Sequence, residues 1–315
     1  MRVCVLGAGG VFGQNFADFA FKQGIPVLGI GRSHRKQSCF SLGTAFLYKP
    51  YHLTYELDYV MAEINKFKPD VVVNFAAQGE GAASFGADNW RFYHTNCTSL
   101  VKLVAQLNCR FVQIGSSEVY GSVNKPVTED APVVPTTPYS ASKAAFDFHL
   151  IAMHKFKGFP MNIIRPSNCY APGQQLHRII PKTLISGVVG RRVPLHGGGV
   201  ARKSYLHAAD LSDAILRVIG GPIGEVYNVG PDEPTSIREV VERCAKVLNK
   251  SFTDLVELAP ERTGQDSTYW LDSTKIKRLG WRQAITWDLG LLDMLSWVER
   301  YPELQTLSTE FQMRA

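Results

Sequence analysis

The stretch Gly7-Ala8-Gly9-Gly10-Val11-Phe12-Gly13 decides the fold of this chain. It follows a short apolar run at residues 3–6 and opens a helical pattern that continues to Lys22. Glycines at such a turn let the backbone approach a pyrophosphate, whose charge is met by the amide end of the following helix. Strand, glycine turn and helix in this order predict a dinucleotide-binding unit. The residues expected to contact the cofactor here are Gly7, Gly10, Val11, Phe12 and Gly13.

Apolar runs and helical patterns alternate through the first half of the chain, which is typical of parallel βαβ units. The runs are nearly continuous in hydrophobicity, as expected when both faces of a sheet are covered. We therefore predict an α/β fold with a doubly wound parallel Rossmann sheet. Predicted strands lie at 3–6, 26–30, 71–75, 111–114 and 161–165, and predicted helices at 11–22, 59–67, 90–107 and 140–157.

Proline and glycine become frequent after Pro166, and the elements become shorter. This change predicts a Rossmann domain in residues 1–165, followed by a smaller, discontinuous C-terminal lobe that binds substrate. The lobe is expected to comprise residues 166–203 and 231–315. Residues 204–230 are expected to return to the first domain, through a helix at 208–219 after an apolar strand at 204–206, and a further strand at 226–229.

Composition narrows the class of protein. The 315 residues are 45% hydrophobic, which suffices for a large core. The net charge is +6, but Lys and Arg are scattered rather than clustered, which argues against a nucleic-acid partner and suits a small anionic substrate. The six cysteines form no CxxC pair, no apolar run approaches the roughly 20 residues that span a bilayer, and no signal sequence is evident. We predict a cytoplasmic protein with no membrane partner and no metal site.

The end of the second predicted strand reads Gly29-Ile30-Gly31-Arg32-Ser33-His34-Arg35-Lys36. It offers no acid to accept the ribose 2′-hydroxyl of NAD, whereas Arg32, Ser33 and Arg35 can hold a 2′-phosphate. The loop therefore favours NADP over NAD. The alternative is that these basic residues form an ordinary solvated loop.

A tyrosine and a lysine four residues apart indicate alcohol chemistry. Tyr139 and Lys143 lie on one face of a predicted helix, so that a phenol stands beside an ammonium. The ammonium is expected to lower the pKa of the phenol, which can then take a proton from a sugar hydroxyl. Glu118 adds a carboxylate that alcohol oxidation does not require, but that removal of a carbon-bound proton beside a carbonyl does. The alternative for Glu118 is a surface carboxylate at a strand end.

Further motifs occur in a recognisable order: Asn74-Phe75-Ala76-Ala77-Gln78, Asn96, Ser116-Ser117-Glu118-Val119-Tyr120-Gly121, Arg165-Pro166-Ser167-Asn168-Cys169-Tyr170 and Arg262-Thr263-Gly264. With the glycine turn and the Tyr139–Lys143 pair, they resemble those of extended short-chain dehydrogenase/reductases that act on nucleotide sugars. The resemblance extends over nearly the whole chain. It implies further cofactor contacts from Ala76, Ala77, Asn96, Tyr139, Lys143 and Pro166.

The resemblance also implies a common first step. Tyr139, held near Lys143, removes the proton of the sugar 4-hydroxyl while hydride leaves C4, and Ser116 hydrogen-bonds the same oxygen. The triplet Ser116-Ser117-Glu118 is similar to that of 4,6-dehydratases, in particular GDP-mannose dehydratases. Glu118 would then remove the C5 proton, and the 6-hydroxyl would leave as water. Ser117 can orient the leaving oxygen but, with its very high pKa, cannot act as an acid.

The resemblance places diphosphate contacts at Asn168, Arg202 and Arg262, with Gln78 and Lys182 as further substrate-binding candidates. It implies a nucleotide-diphosphate sugar as substrate, a tightly bound NADP or NAD, and a homodimer formed through residues 90–107 and 140–157. Other activities that begin with the same oxidation at C4 stay open: a 4-epimerase, a 4-dehydrogenase, a 5,6-dehydratase or a uronate decarboxylase. A non-catalytic dinucleotide-binding protein is the alternative from another class.

Overall fold

A computed structural model describes residues 1–33, 46–260 and 268–310. The strands of these residues are, in chain order, β1 (Val3–Leu6), β2 (Val27–Ile30), β3 (Leu47–Lys49), β4 (Val71–Asn74), β5 (Arg110–Ile114), β6 (Met161–Pro166), β7 (Asn168–Tyr170), β8 (Val193–His196), β9 (Arg202–Lys203), β10 (Tyr205–His207), β11 (Val226–Val229), β12 (Thr235–Ser236) and β13 (Val256–Ala259).

The helices of the same residues are α1 (Val11–Lys22), α2 (Leu57–Phe67), α3 (Trp90–Tyr93), α4 (Ser99–Val104), α5 (Pro138–Lys157), α6 (Ile179–Val188), α7 (Ala208–Gly220), α8 (Ile237–Val247), α9 (Phe252–Leu255), α10 (Thr274–Lys277) and α11 (Trp287–Arg300). A π-helical segment, His94–Thr98, joins α3 to α4.

The central sheet has seven parallel strands in the order β3-β2-β1-β4-β5-β6-β11. The chain runs outward from β1 to β3 and then returns to β4 on the other side of β1. This reversal makes the carboxyl ends of β1 and β4 the switch point at which ligands bind in doubly wound sheets. The predicted Rossmann fold is confirmed, and β3 is a strand that the sequence did not predict.

Both faces of the sheet are covered because successive side chains of each strand point to opposite sides. In β1, Val3 and Val5 pack in one core cluster together with Phe16 of α1. Cys4 and Leu6 of the same strand pack in the other cluster, with side chains from α4 and α5. Every side chain of this continuous apolar run is therefore buried, on one face of the sheet or on the other.

Two predicted elements differ from the observed ones. The helix predicted at 90–107 is interrupted by the π-helical segment His94–Thr98, and its last part ends at Val104. The strand predicted at 204–206 is β10, which pairs in parallel with β7 in a separate two-stranded sheet. By contrast, α7 and β11 form where the sequence predicted them, and β11 extends the central sheet next to β6.

A second packing unit follows the sheet. Leu184 of α6, Val240 of α8 and Trp297 of α11 meet in one buried apolar cluster. β8 pairs in parallel with β13 beside it. Within the described ranges, none of the helices combines the length and apolar character needed to cross a bilayer, and no group of three or more His, Cys, Asp or Glu side chains is placed to hold a metal ion.

Candidate active site

A cleft of about 670 Å³, called the main cleft below, opens at the carboxyl end of the central sheet. The ends of β1, β2, β5 and β6 line it, together with the start of α5 and the segment that precedes α6. It therefore lies at the position where doubly wound folds bind their ligands.

The glycine turn forms one end of the main cleft. Gly7 has φ +79°, and a Cβ there would lie 2.6 Å from the amide nitrogen of Ala76. A Cβ on Gly13 would lie 2.4 Å from the carbonyl oxygen of Gly7, so only glycine lets α1 pack this closely on the turn. Gly10 caps α1 without a side-chain hydrogen bond, which leaves the first-turn amides of Val11 and Phe12 for a ligand. These residues fit the pyrophosphate of a dinucleotide.

Arg32 and Ser33 line the cleft at the end of β2, whereas Arg35 lies outside the described residues. Tyr48 fixes this turn, because its hydroxyl donates to the carbonyl oxygens of Ser33 at 2.8 Å and Gly31 at 3.0 Å. His52 lines the same region, and burial followed by the charge of Arg32 lowers the pKa of its imidazole. The sequence did not predict His52, since no motif marks it.

Ala76, Ala77 and Pro166 line the middle of the cleft, as expected of a cofactor site. Asn96, also predicted to contact the cofactor, is fully buried behind this wall. Its Oδ1 accepts from the amide of Gln78 at 2.7 Å, and its Nδ2 donates to the carbonyl of Gln78 and to Ser142 Oγ. Since both polar atoms are occupied, the structure corrects Asn96 from a cofactor contact to a residue that positions Gln78.

The start of α5 positions the tyrosine and the lysine. Thr137 caps the helix in a capping box with Ser140, and Pro138 occupies its first turn, so the helix begins sharply just before Tyr139. The Tyr139 amide also donates to Ser84 Oγ at 3.1 Å. Tyr139 and Lys143 thereby enter the cleft from one face of a firmly anchored helix.

The triplet after β5 meets Tyr139. Ser116 hydrogen-bonds the Tyr139 side chain and also accepts from the amide of Glu118 at 3.1 Å. The Glu118 carboxylate lies against Gly81, where a Cβ would be 3.2 Å from its Oε2. Ser117 lines the cleft and is only 3% exposed. The structure therefore brings together the phenol, the hydroxyl and the carboxylate that the sequence singled out.

The prediction that the pKa of the Tyr139 phenol is lowered is wrong. Burial, followed by the charge of Glu118, raises the pKa of the Tyr139 phenol, and the hydrogen bond from Ser116 only partly offsets this. The Lys143 ammonium donates to the carbonyl oxygen of Ile114 at 2.6 Å, which fixes its position in the cleft. Burial lowers the pKa of Lys143 to about 8, although the nearby Asp147 carboxylate raises it.

The substrate-binding candidates divide into three groups. Gln78, Asn168 and Lys182 line the main cleft, and the Lys182 ammonium pairs with Glu310 Oε1 at 2.8 Å. The Arg202 guanidinium instead donates to the carbonyl oxygen of Pro234 at 2.6 Å, and Arg202 is not among the cleft-lining residues. Arg262 lies outside the described residues.

Other side chains line the cleft without having been predicted. Gln174 and Ser167 are almost fully buried, and the Oε1 of Gln174 and the Oγ of Ser167 find no hydrogen-bond partner among the described residues. Buried polar atoms of this kind are costly unless a ligand or water pairs with them. Glu80, His177 and Arg178 also enter the cleft, where His177 Nε2 and the Arg178 guanidinium lie 3.1 and 3.0 Å from Glu80 Oε2.

A parallel doubly wound sheet, a glycine turn that fits a pyrophosphate and a tyrosine–lysine helix define an extended short-chain dehydrogenase/reductase. The model of the NAD dependent epimerase/dehydratase family matches residues 3–230. The chain belongs to this family, as its sequence predicted.

Curated relatives and solved structures agree with this membership. The chain is 34% identical to the dTDP-glucose 4,6-dehydratase of Streptomyces niveus over 235 residues, which cover 72% of this chain and 69% of that protein. It is 31% identical to a trifunctional UDP-glucose 4,6-dehydratase/UDP-4-keto-6-deoxy-D-glucose 3,5-epimerase/UDP-4-keto-L-rhamnose-reductase of Arabidopsis thaliana over 245 residues, which are 74% of this chain but only 36% of that protein. The crystal structure of dTDP-glucose 4,6-dehydratase from Bacillus anthracis in complex with NAD superposes with a TM-score of 0.84 at 28% identity, covering 96% of this chain and 98% of that one.

Proposed function

We propose that this protein is a nucleotide-sugar 4,6-dehydratase. It would oxidise C4 of the sugar, eliminate water across C5 and C6, and end with a 4-keto-6-deoxy sugar. The observation that carries the proposal is the convergence of the Glu118 carboxylate, the Ser116 hydroxyl and the Tyr139 phenol in one cleft with a dinucleotide site. The identity to curated 4,6-dehydratases supports it.

Tyr139 acts first, in its deprotonated form, as the base that takes the proton of the 4-hydroxyl. The positive charges of Lys143 and of a bound nicotinamide would oppose the effect of burial and Glu118 on its pKa. Ser116, already hydrogen-bonded to the phenol, holds the same sugar oxygen in line. Lys143 supplies positive charge beneath this site from its fixed position on the Ile114 carbonyl. A nicotinamide held in this cleft would supply the hydride acceptor for C4 and the hydride donor for C6. The glycine turn and the wall formed by Ala76, Ala77 and Pro166 would hold this cofactor in place.

Glu118 distinguishes the dehydratase from an epimerase. A C4 carbonyl makes the C5 proton acidic, and a carboxylate within reach of the same centre can remove it and later return it. A 4-epimerase reverses its own oxidation and leaves C5 untouched, so it needs no such group. The position of Glu118 beside Gly81 and near the Tyr139 hydroxyl suits action at the carbon next to C4.

The cofactor is a dinucleotide of the NAD family, and we propose a preference for tightly bound NADP. Arg32 and Ser33 line the cleft at the end of β2, where the ribose of the adenosine half lies in this class of fold. The described part of this turn holds no acidic side chain to accept a ribose 2′-hydroxyl. An arginine at this place suits a 2′-phosphate.

A nucleotide-diphosphate sugar is the proposed substrate, bound by a lobe of residues 166–203 and 231–315 against a Rossmann domain of residues 1–165 completed by 204–230. Asn168 and Lys182 line the cleft on the side of the proposed lobe, opposite Gln78. The unpaired Gln174 Oε1 offers this ligand an additional acceptor.

We also propose a homodimer formed through α3 and α5. Each helix carries large aromatic side chains on the surface: Trp90 is 50% and Tyr93 40% exposed on α3, and Phe148 is 54% and Phe156 75% exposed on α5. Exposed aromatic side chains on these two helices suit a protein interface.

One assay tests the function. The protein is incubated with a panel of nucleotide sugars, and the mass of each product is measured. Loss of one water is expected. Loss of carbon dioxide would instead identify a decarboxylase, an unchanged mass with a new retention time an epimerase, and the absence of any product a binding protein.

A further inference from the structure

The main cleft contains an acidic side chain that the motifs did not indicate. Glu80 lies on the loop after β4, and a Cβ on the next residue, Gly81, would lie 3.2 Å from Glu118 Oε2. Glu80 also affects the pKa of the Tyr139 phenol. Burial and the charge of Glu118 have the largest effects on this pKa; among the smaller ones, the charge of Arg178 lowers it and the charge of Glu80 raises it. Glu80 therefore lies close to the reacting part of the substrate rather than at its nucleotide end.

The backbone at Glu80 is strained. Its φ is +95°, a conformation that favours glycine, although the chain has glycine at both neighbouring positions. Non-glycine residues in such conformations cluster at active sites, because the surrounding structure must hold them there. The outlier points to a functional role for residue 80.

Two basic side chains hold that carboxylate. His177 Nε2 lies 3.1 Å and an Arg178 guanidinium nitrogen 3.0 Å from Glu80 Oε2. The Glu80 and His177 side chains are 19% and 18% exposed, so the Glu80–His177 pair is largely shielded but still reaches the cleft. A carboxylate hydrogen-bonded to an imidazole forms a pair that can hold one proton and deliver it.

A 4,6-dehydratase needs such a proton. Hydroxide is a poor leaving group, and Ser117, which stands where an acid would serve, cannot supply a proton. We propose that the Glu80–His177 pair donates the proton with which the 6-hydroxyl leaves as water, an inference that rests on the proposed dehydratase function. Arg178 keeps its charge throughout and holds Glu80 in place.

The proton balance closes within the cleft. Glu118 takes the C5 proton, the electrons of the C5–H bond form the C5–C6 double bond, and the C6–O bond breaks. The departing oxygen takes a proton from the Glu80–His177 pair and leaves as water. Glu118 exchanges its proton with solvent and delivers one proton to C5 when hydride reaches C6, so its own proton count is unchanged. The proton that Tyr139 took from the 4-hydroxyl then recharges the pair, so the protein ends as it began.

Fluoride can leave C6 without taking up a proton, so substrates with fluorine in place of the 6-hydroxyl test the proposed proton donor directly. Wild type and Glu80→Gln are compared on dTDP-glucose, UDP-glucose and the 6-deoxy-6-fluoro analogues of both. Elimination of water is measured as formation of the dehydrated product, and elimination of fluoride as free fluoride. We expect Glu80→Gln to slow elimination from the hydroxyl substrates by about a hundredfold or more, the low end of general acid catalysis. Elimination of fluoride should change by less than about fivefold. His177→Gln, which leaves the strained backbone in place, should give the same pattern.

Glu63→Gln is the matched control, because the Glu63 side chain is 18% exposed and pairs with Lys49 at 3.3 Å, and neither residue is among those that line the main cleft. It should change neither rate. An equal loss on hydroxyl and fluoro substrates would show that Glu80 and His177 merely clamp two loops and would overturn the inference, as would unchanged elimination of water. If wild type dehydrates no nucleotide sugar of the panel described above, the proposed function fails and the inference with it; if it dehydrates another sugar, the same comparison is made on that sugar and its 6-fluoro analogue.

Discussion

Replacing Gly10 by alanine should separate cofactor binding from the stability of the fold. A Cβ at Gly10 meets a single described atom within 4 Å, the carbonyl oxygen of Gly7 at 3.3 Å. The backbone there has φ −88° and ψ 163°, an extended conformation that alanine adopts without strain. The new methyl group therefore projects mainly towards the space that the pyrophosphate would occupy.

The expected magnitudes follow from these contacts. A Gly→Ala change at a compatible backbone position stabilises a protein by about 0.4–1 kcal/mol, and the 3.3 Å contact offsets part of this. The free energy of unfolding should thus stay within about 1 kcal/mol of the parent. Crowding of a close-packed contact costs about 1–3 kcal/mol, which lowers cofactor affinity about 5- to 150-fold. Gly13→Ala, with its Cβ 2.4 Å from the Gly7 oxygen, should instead destabilise the fold itself.

Two measurements check this prediction. Calorimetric titration gives the affinities for NAD and NADP, and urea unfolding without cofactor gives the stability. Gly220→Ala, at the end of α7 with open space around it, is the control and should change neither affinity. Unchanged cofactor affinity in Gly10→Ala would refute the assignment of the glycine turn as the pyrophosphate site.

Four more predictions concern the chemistry, the cofactor and the assembly. Glu118→Gln should retain oxidation at C4, seen as one turnover of nicotinamide absorbance, but lose about 100- to 10,000-fold in water elimination; equal loss of both steps would contradict its role at C5. Lys143 carries its ammonium below a pKa of about 8, so C4 oxidation should decline above that pH. Asp147→Asn removes a charge that raises this pKa and should move the decline to lower pH; an unmoved decline would contradict the assignment. Arg32→Ala should weaken NADP more than NAD in calorimetric titration, and equal weakening would count against a 2′-phosphate contact. Phe148→Lys should shift the sedimentation of a dimer towards the monomer, and an unaltered dimer would exclude this face of α5.

The sequence predicted those parts of the fold that depend on local patterns. β1, β4 and β5 are apolar runs bounded by turn residues, and each formed within one residue of its predicted ends. β3 escaped prediction because it has three residues and its side chains are exposed or half-buried. The π-helical segment escaped because the sequence carries no local signal for it; the segment contains Asn96, whose Oδ1 accepts from the amide of Gln78, 18 residues away.

In the candidate site, too, residues in local motifs were predicted and residues brought together only by the fold were not. Tyr139, Lys143 and the triplet at 116–118 belong to short motifs, and the structure brings them into one cleft. Glu80 and His177 belong to no motif, are 97 residues apart and meet only because the loops after β4 and β7 end at the same edge of the fold. The wrong expectation for the Tyr139 pKa has a similar origin, since helix spacing does not reveal that Lys143 is directed to the Ile114 carbonyl.

The most direct test of the account is the reaction of the wild-type protein with dTDP-glucose and UDP-glucose in deuterated water. Because Glu118 would exchange its proton with solvent before returning it to C5, we predict a product that has lost one water and carries one deuterium at C5. A product of unchanged mass, or a dehydrated product without deuterium at C5, would contradict the proposed chemistry.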